Sequence, residues 1–151
     1  MGDLKDRLQR DLSAAIKSRD GLRTRTLRLA LAAIRNEEVA GKQARDLSDD
    51  DVIKVLGREA KKRREAAEAF ESGGRPEQAE QERAEGTVLG EYLPAQLGDD
   101  ELRELVTAAI AETGVGDPKG MGQVMRVLTP RTAGRADGGR VAAEVRRQLG
   151  G

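Results

Sequence analysis

Seven cations lie between Lys119 and Arg147 of this chain (Lys119, Arg126, Arg131, Arg135, Arg140, Arg146 and Arg147), against two anions, Asp137 and Glu144. Six of the seven are Arg, whose planar guanidinium forks onto a phosphate through two parallel hydrogen bonds. Glycines at 120, 122, 134, 138 and 139 are interleaved with them, and a residue without Cβ lets another backbone come close. The chemistry open to such a run is anion capture by side chain and main chain together. The local net charge is +5 in a chain whose total is zero, which suggests an anionic partner, and the phosphate backbone of a nucleic acid is the leading candidate. The candidate binding residues are the seven cations with Gly134, Gly138 and Gly139. Arg135 and Arg140 stand out, because Asp137 reads as the cap of a last helix whose first amides, at Gly138 and Gly139, lie beside them.

Absences narrow the chemistry further. The chain has no His and no Cys, so Ser-His and Cys-His dyads, disulfides and imidazole or thiolate zinc sites are all excluded. Three of its four serines fall where caps or turns explain them: Ser13 in a helical segment, Ser48 before an acidic helix start, Ser72 before Gly73-Gly74. No phosphate-binding GxxxxGK[ST] loop occurs, and GMGQVM at 120–125 follows no apolar strand, so it does not qualify as a nucleotide loop. No catalytic residue, metal or cofactor is expected. Phe70 and Tyr92 are the only aromatics and both lie outside the basic run. Base stacking on single strands is therefore a poor fit, and reading the backbone of a folded RNA by shape is the better one.

Gly120-Met121-Gly122-x-Val124-Met125, Pro130, Gly134-Arg135-Ala136-Asp137-Gly138 and Val141 through Leu149 resemble the C-terminal signature of the YqeY family. That family is similar to the tail of the B subunit of glutamine-dependent aspartyl/glutamyl-tRNA amidotransferase. The likeness continues through KKRREAAEAFESGGR (61–75), EYLPAQL (91–97) and LRLALAAIRNEE (27–38), and so spans nearly the whole chain. The resemblance implies an accessory module that engages tRNA away from its reacting end, in company with an amidotransferase or an aminoacyl-tRNA synthetase. It also carries a label of carbon-nitrogen ligase activity with glutamine as amide donor, for which this chain shows neither an amidase nucleophile nor an ATP site.

Positioning such a surface falls to helices, since the apolar residues follow helical spacing nearly everywhere and no strand pattern is convincing. Leu4, Leu8, Leu12, Ala15 and Ile16 predict a helix over about Asp3 to Arg19, broken at Asp20-Gly21. Leu22 opens a second to about Glu38, apolar on almost every side between Leu27 and Ile34 and so expected to lie centrally. Ser48 with Asp51 reads as a capping-box start for a third, running to about Glu71 and ending at Gly73-Gly74. Pro76 suits the first turn of a fourth, ending before Pro94. After Tyr92-Leu93-Pro94-Ala95-Gln96-Leu97, shorter helices follow: Gly98-Asp99 to about Thr113, one capped by Asp117-Pro118 and stopped by Pro130, and one capped by Asp137. The expected class is all-α, with an N-terminal bundle of about four helices over 1–94 that includes a long hairpin, and a three-helix C-terminal subdomain over 98–151.

Within the hairpin, Ile53, Leu56, Ala60, Arg63, Ala67 and Phe70 predict one seam and Ala79, Glu82, Gly86, Leu89 and Leu93 the other. An antiparallel turn near 72–75 brings Arg63 to Glu82 and Glu85. Two readings fit: an interhelical ion pair, or an Arg that lays its stem on the seam with its head in water.

Charge is segregated along the chain. Residues 1–45 carry eleven cations and six anions, and residues 71–112 three cations and eleven anions. A solvated helix face accounts for the acidic block, with Asp99, Asp100 and Glu101 favourable at a helix start. No stretch approaches a membrane span, and MGDLKDRLQRDL is unlike a signal peptide, so a cytoplasmic location is expected. The expected function is a non-catalytic tRNA-binding or amidotransferase-related accessory module. The alternative is an adaptor that docks an acidic protein without RNA.

Overall fold

The computed structural model describes residues 2–150 and is all-α, with seven α-helices, one 3-10 turn and no strand among the described residues. It comprises two compact units, one up to Leu93 and one from Pro94.

In the first unit, α1 (Asp3–Ser18) carries Asp3 and Asp6 in its first turn, where carboxylates favour the helix dipole. It ends at Arg19, held in the left-handed region at φ 60. Asp20 then caps α2 (Gly21–Glu38) by accepting the Arg23 N–H at 3.0 Å. Ser48 and Asp51 form the expected capping box on α3 (Asp49–Ser72): Ser48 Oγ accepts the Asp51 N–H at 3.1 Å, and the Asp51 carboxylate accepts the Ser48 N–H at 3.3 Å. Those bonds from Ser48 hold the Asp51 carboxyl below its usual range. Pro76 opens α4 (Pro76–Gly90), which packs along α3 as a hairpin. Leu8, Leu27, Ile34, Leu56 and Leu89 are fully buried in one aliphatic core shared by the four helices.

Two details of this unit differ from the sequence reading. In α3 the buried seam runs through Val52, Val55, Leu56, Ala60 and Ala67, while Ile53 and Phe70 are only half-buried. At its N-terminal end α3 packs on α1 and α2 as well as on α4, so its buried face there is wider than a two-helix stripe. α2, expected to be covered all round, buries only Thr26, Leu27, Ala30 and Ile34 and leaves Leu29 43% exposed.

The second unit is built from α5 (Asp99–Thr113), α6 (Met121–Thr132) and α7 (Gly138–Gln148) around Leu102, Val106, Val124, Leu128, Val141 and Val145. Asp117 caps the 3-10 turn Pro118–Gly120 that leads into α6. A Cβ on Gly120 would lie 2.3 Å from Val115 Cγ1, so the close approach of that turn requires glycine. Pro130 does not stop α6, which runs two residues further. The Ala133 N–H bonds to the Thr129 carbonyl at 3.0 Å, and the Thr132 hydroxyl donates to the Leu128 carbonyl inside the core. Burial of Leu128 and Thr132 thus carries the helix past the one bond that Pro130 cannot donate.

At the hairpin seam Arg63 lies within 3.7 to 3.9 Å of Glu59, Glu82 and Glu85 and is largely shielded from solvent. Of the two readings the ion pair holds. Arg63 Nε and Glu82 Oε2 are buried without a hydrogen-bond partner, so the attraction is coulombic and not a tight bidentate fork. Glu85, 5% exposed, is further neutralised by Arg25 at 3.2 Å. Removing Arg63 strands these carboxylates in low dielectric. Arg63→Ala should therefore lower unfolding free energy by about 2–4 kcal/mol, measured by urea denaturation; an unchanged midpoint would show that the guanidinium is effectively solvated.

Candidate nucleic-acid interface

The basic run folds onto the segment before α5. Arg140, near the start of α7, donates to the Leu97 carbonyl at 2.8 Å and to Asp99 Oδ1 at 2.7 Å. Arg135 donates to the Ala95 carbonyl at 3.2 Å and lies 4.0 Å from Glu101. The segment before α5 donates in return: the Leu97 N–H to the Arg135 carbonyl at 2.8 Å and Gln96 Nε2 to the Gly134 carbonyl at 2.8 Å. Residues 95–99 are latched by these five bonds, three of which use the guanidinium groups that a phosphate would need.

Of the other candidates, Arg131 forks onto Glu112 at 2.7 and 3.2 Å, and Arg147 onto Glu144 at 2.6 Å and longer. These hydrogen bonds hold both carboxyls below their usual range and raise both guanidiniums. Lys119, Arg126 and Arg146 are exposed, and among the described residues none has a carboxylate within 4.0 Å. Gly134 is needed for its own turn, at φ 74. The Gly139 N–H is taken by Asp137 Oδ1 at 3.0 Å. Gly122 and Gly138 differ, since a Cβ at either would meet nothing within 4 Å. The ten candidates thus split into a latched set around Arg135 and Arg140 and a smaller exposed set.

Sequence proximity hid the counter-charges. From Pro94 to Gly151 the chain holds eight cations and eight anions, because α5 brings Asp99, Asp100, Glu101, Glu104 and Glu112 to the unit that carries the basic run. Gly98 offers α5 no side-chain cap; the Glu101 carboxylate accepts the Gly98 N–H at a long 3.4 Å. Among the described residues no group of three or more His, Cys, Asp or Glu converges as metal ligands would.

Comparison with known proteins decides the family. The sequence profile described as Yqey-like protein matches residues 5–149. The chain belongs to the YqeY family. It is also 28% identical over 118 residues to a protein of Clavispora lusitaniae named altered inheritance of mitochondria protein 41, mitochondrial, covering 77% of this chain and 68% of that one. No helix of this YqeY-family protein, among the described residues, is long and apolar enough to cross a membrane.

A second polar cluster escaped the sequence reading. Tyr92, buried and lining an open surface pocket in the first unit, donates its hydroxyl to Asp11 Oδ2 at 2.5 Å. The Arg7 guanidinium carbon stands 4.6 Å from its ring centroid. Eighty-one residues separate the bonded pair, so no local spacing could have announced it. Burial first, then Asp11, pushes the Tyr92 hydroxyl up to about 12. A raised folded value means that this contribution to stability is fully present below the unfolded value of 10.0 and is lost as pH rises through about 12. Tyr92 is the only Tyr and there is no Trp, so near-ultraviolet tyrosinate absorbance reads this residue alone. Little ionisation is expected near pH 10, with onset moved down in Asp11→Asn; half-ionisation there in the folded wild type would contradict the burial.

Proposed function

We propose that this YqeY-family protein is a non-catalytic accessory module that contacts the backbone of a tRNA through the exposed cations of its C-terminal unit. One observation carries the reading: Lys119, Arg126 and Arg146 are exposed and unpaired among the described residues, in a unit whose glycines at 122 and 138 have open space where a Cβ would stand. Exposed, uncommitted cations are what phosphate contact requires, because each must exchange condensed counterions for a fixed charge. Similarity to the amidotransferase B-subunit tail supports tRNA as the nucleic acid, and an amidotransferase or aminoacyl-tRNA synthetase as the enzyme sharing it, in the cytoplasm. No cofactor and no catalytic residue are part of this reading. Arg135, Arg140, Arg131 and Arg147 serve it indirectly, by holding the fold that presents the other three.

The adaptor reading draws on a different observation: with four of the seven cations already partnered, the C-terminal unit is electrically balanced and offers no strong field. Filter binding of total tRNA at two salt concentrations separates the two. Three phosphate contacts give a slope of about −2 to −3 in log affinity against log salt. Arg126→Glu with Arg146→Glu should abolish retention at unchanged helicity, whereas Arg7→Glu with Arg10→Glu should matter less. If the wild-type protein retains no tRNA at low salt, the adaptor reading replaces this one.

A further inference from the structure

α2 turns one long face to solvent instead of to a neighbour. Arg25, Arg28, Leu29, Ala32, Arg35 and Val39 share it at helical spacing. Leu29 and Val39 are 43% and 53% exposed, two of the three large apolar side chains so exposed among the described residues. Arg28 and Arg35 have no carboxylate within 4.0 Å among the described residues, and Arg25 is held only by Glu85. Around the helix from this stripe lies an open groove of about 420 Å³ between α2 and α3, whose α2 wall is Ala33, Asn36, Glu37 and Ala40 and whose far wall is Val55, Arg58, Glu59 and Lys62, with Arg58 paired to Glu37 and Lys62 to Glu59. The stripe is therefore apolar along its middle and cationic along its length, and a charge-balanced groove adjoins it on one side.

We propose that this face docks an acidic amphipathic helix of a partner protein. Charge fixes the sign of the partner: three arginines repeat along about 15 Å of helix between positions 25 and 35, and carboxylates spaced along an opposing helix complement them. The exposed aliphatics fix its chemistry, since burying Leu29 and Val39 is favourable only against apolar side chains, and an RNA backbone offers none. A groove, not a plane, fits a helix better than a lipid surface, and the stripe has no aromatic anchor for an interface. A second copy fits poorly. The exposed acidic faces of this chain, such as Asp100 and Glu104 on α5, carry no exposed large apolar side chain, and Ile16, the remaining one, neighbours Lys17. The stripe is narrower than a standard interface, so the contact is weak and transient. This docking is independent of the tRNA reading, which rests on the other unit.

The test uses the full chain and fluorescence anisotropy with a labelled synthetic helix bearing leucines at i, i+3, i+4 and i+7 flanked by glutamates. The same helix with lysines for glutamates, total tRNA, and phosphatidylserine vesicles serve as competitors or alternatives. The acidic helix should bind with Kd of about 10–100 µM, and the lysine version should not. Arg28→Glu with Arg35→Glu, and separately Leu29→Asp, should each weaken it at least about tenfold. Arg64→Glu with Arg75→Glu, equal in charge change but outside the stripe, should leave it unaltered, with circular dichroism confirming that every variant is folded. Equal binding of the two helices, or indifference to the α2 variants, overturns the proposal. So does a result in which the α2 variants lose tRNA or vesicle binding while the acidic helix never binds. Retention of tRNA by the α2 variants leaves the proposed function standing whatever the peptide does.

Discussion

Between Glu71 and Glu112 the chain carries eleven carboxylates, and nine of them lie within 4.0 Å of a guanidinium. In the first unit these acids reach back to Arg23, Arg25 and Arg63; in the second they reach forward to Arg131, Arg135 and Arg140. Most such pairs are exposed, and each alone contributes little. Their value is collective and concerns placement. The Arg63–Glu85–Arg25 cluster fixes how α3, α4 and α2 meet, and Arg140 fixes residues 95–99 against α7. A chain with 36% charged residues and almost no aromatics relies on this mutual neutralisation to keep its cationic stretches from repelling one another.

That constraint bears on function because a guanidinium already bonded to a carboxylate or carbonyl is a poor phosphate ligand. It must first break those bonds, so only the uncommitted cations lend themselves to binding at low cost. Two sets of them share a surface with other candidate contacts: Arg126, Arg146 and Lys119 on the C-terminal unit, and Arg28 with Arg35 on the outer face of α2. The first set shares its unit with open glycines, the second its helix face with exposed Leu29 and Val39. Their surroundings differ enough to suit different partners.

Local signals were legible from sequence wherever a few consecutive residues decide the outcome. Ser48-x-x-Asp51, Pro76, Gly98-Asp99 and Asp137 each announced a helix start, because capping is settled within one turn. Arg63 opposite Glu82 and Glu85 was legible too, since a tight turn at 73–75 fixes the hairpin register. What stayed hidden depends on distant residues. Arg140 is bonded to Leu97 and Asp99, some forty positions away, and Tyr92 to Asp11 across eighty-one, so the local surplus of +5 gave no hint of its counter-charges. Pro130 misled because burial of Leu128 and Thr132 outweighs one missing N–H. Leu29 misled because apolar residues on both sides of α2 outnumber the helices available to cover them.

The division of the basic residues into committed and free is the claim most open to direct measurement. Arginine-selective dicarbonyl labelling of the native full chain, resolved by peptide mass spectrometry, reports the availability of each guanidinium. Fast modification is expected at Arg28, Arg35, Arg126 and Arg146 and slow modification at Arg63 and Arg140. Modification of Arg140 as fast as Arg126 would contradict that division.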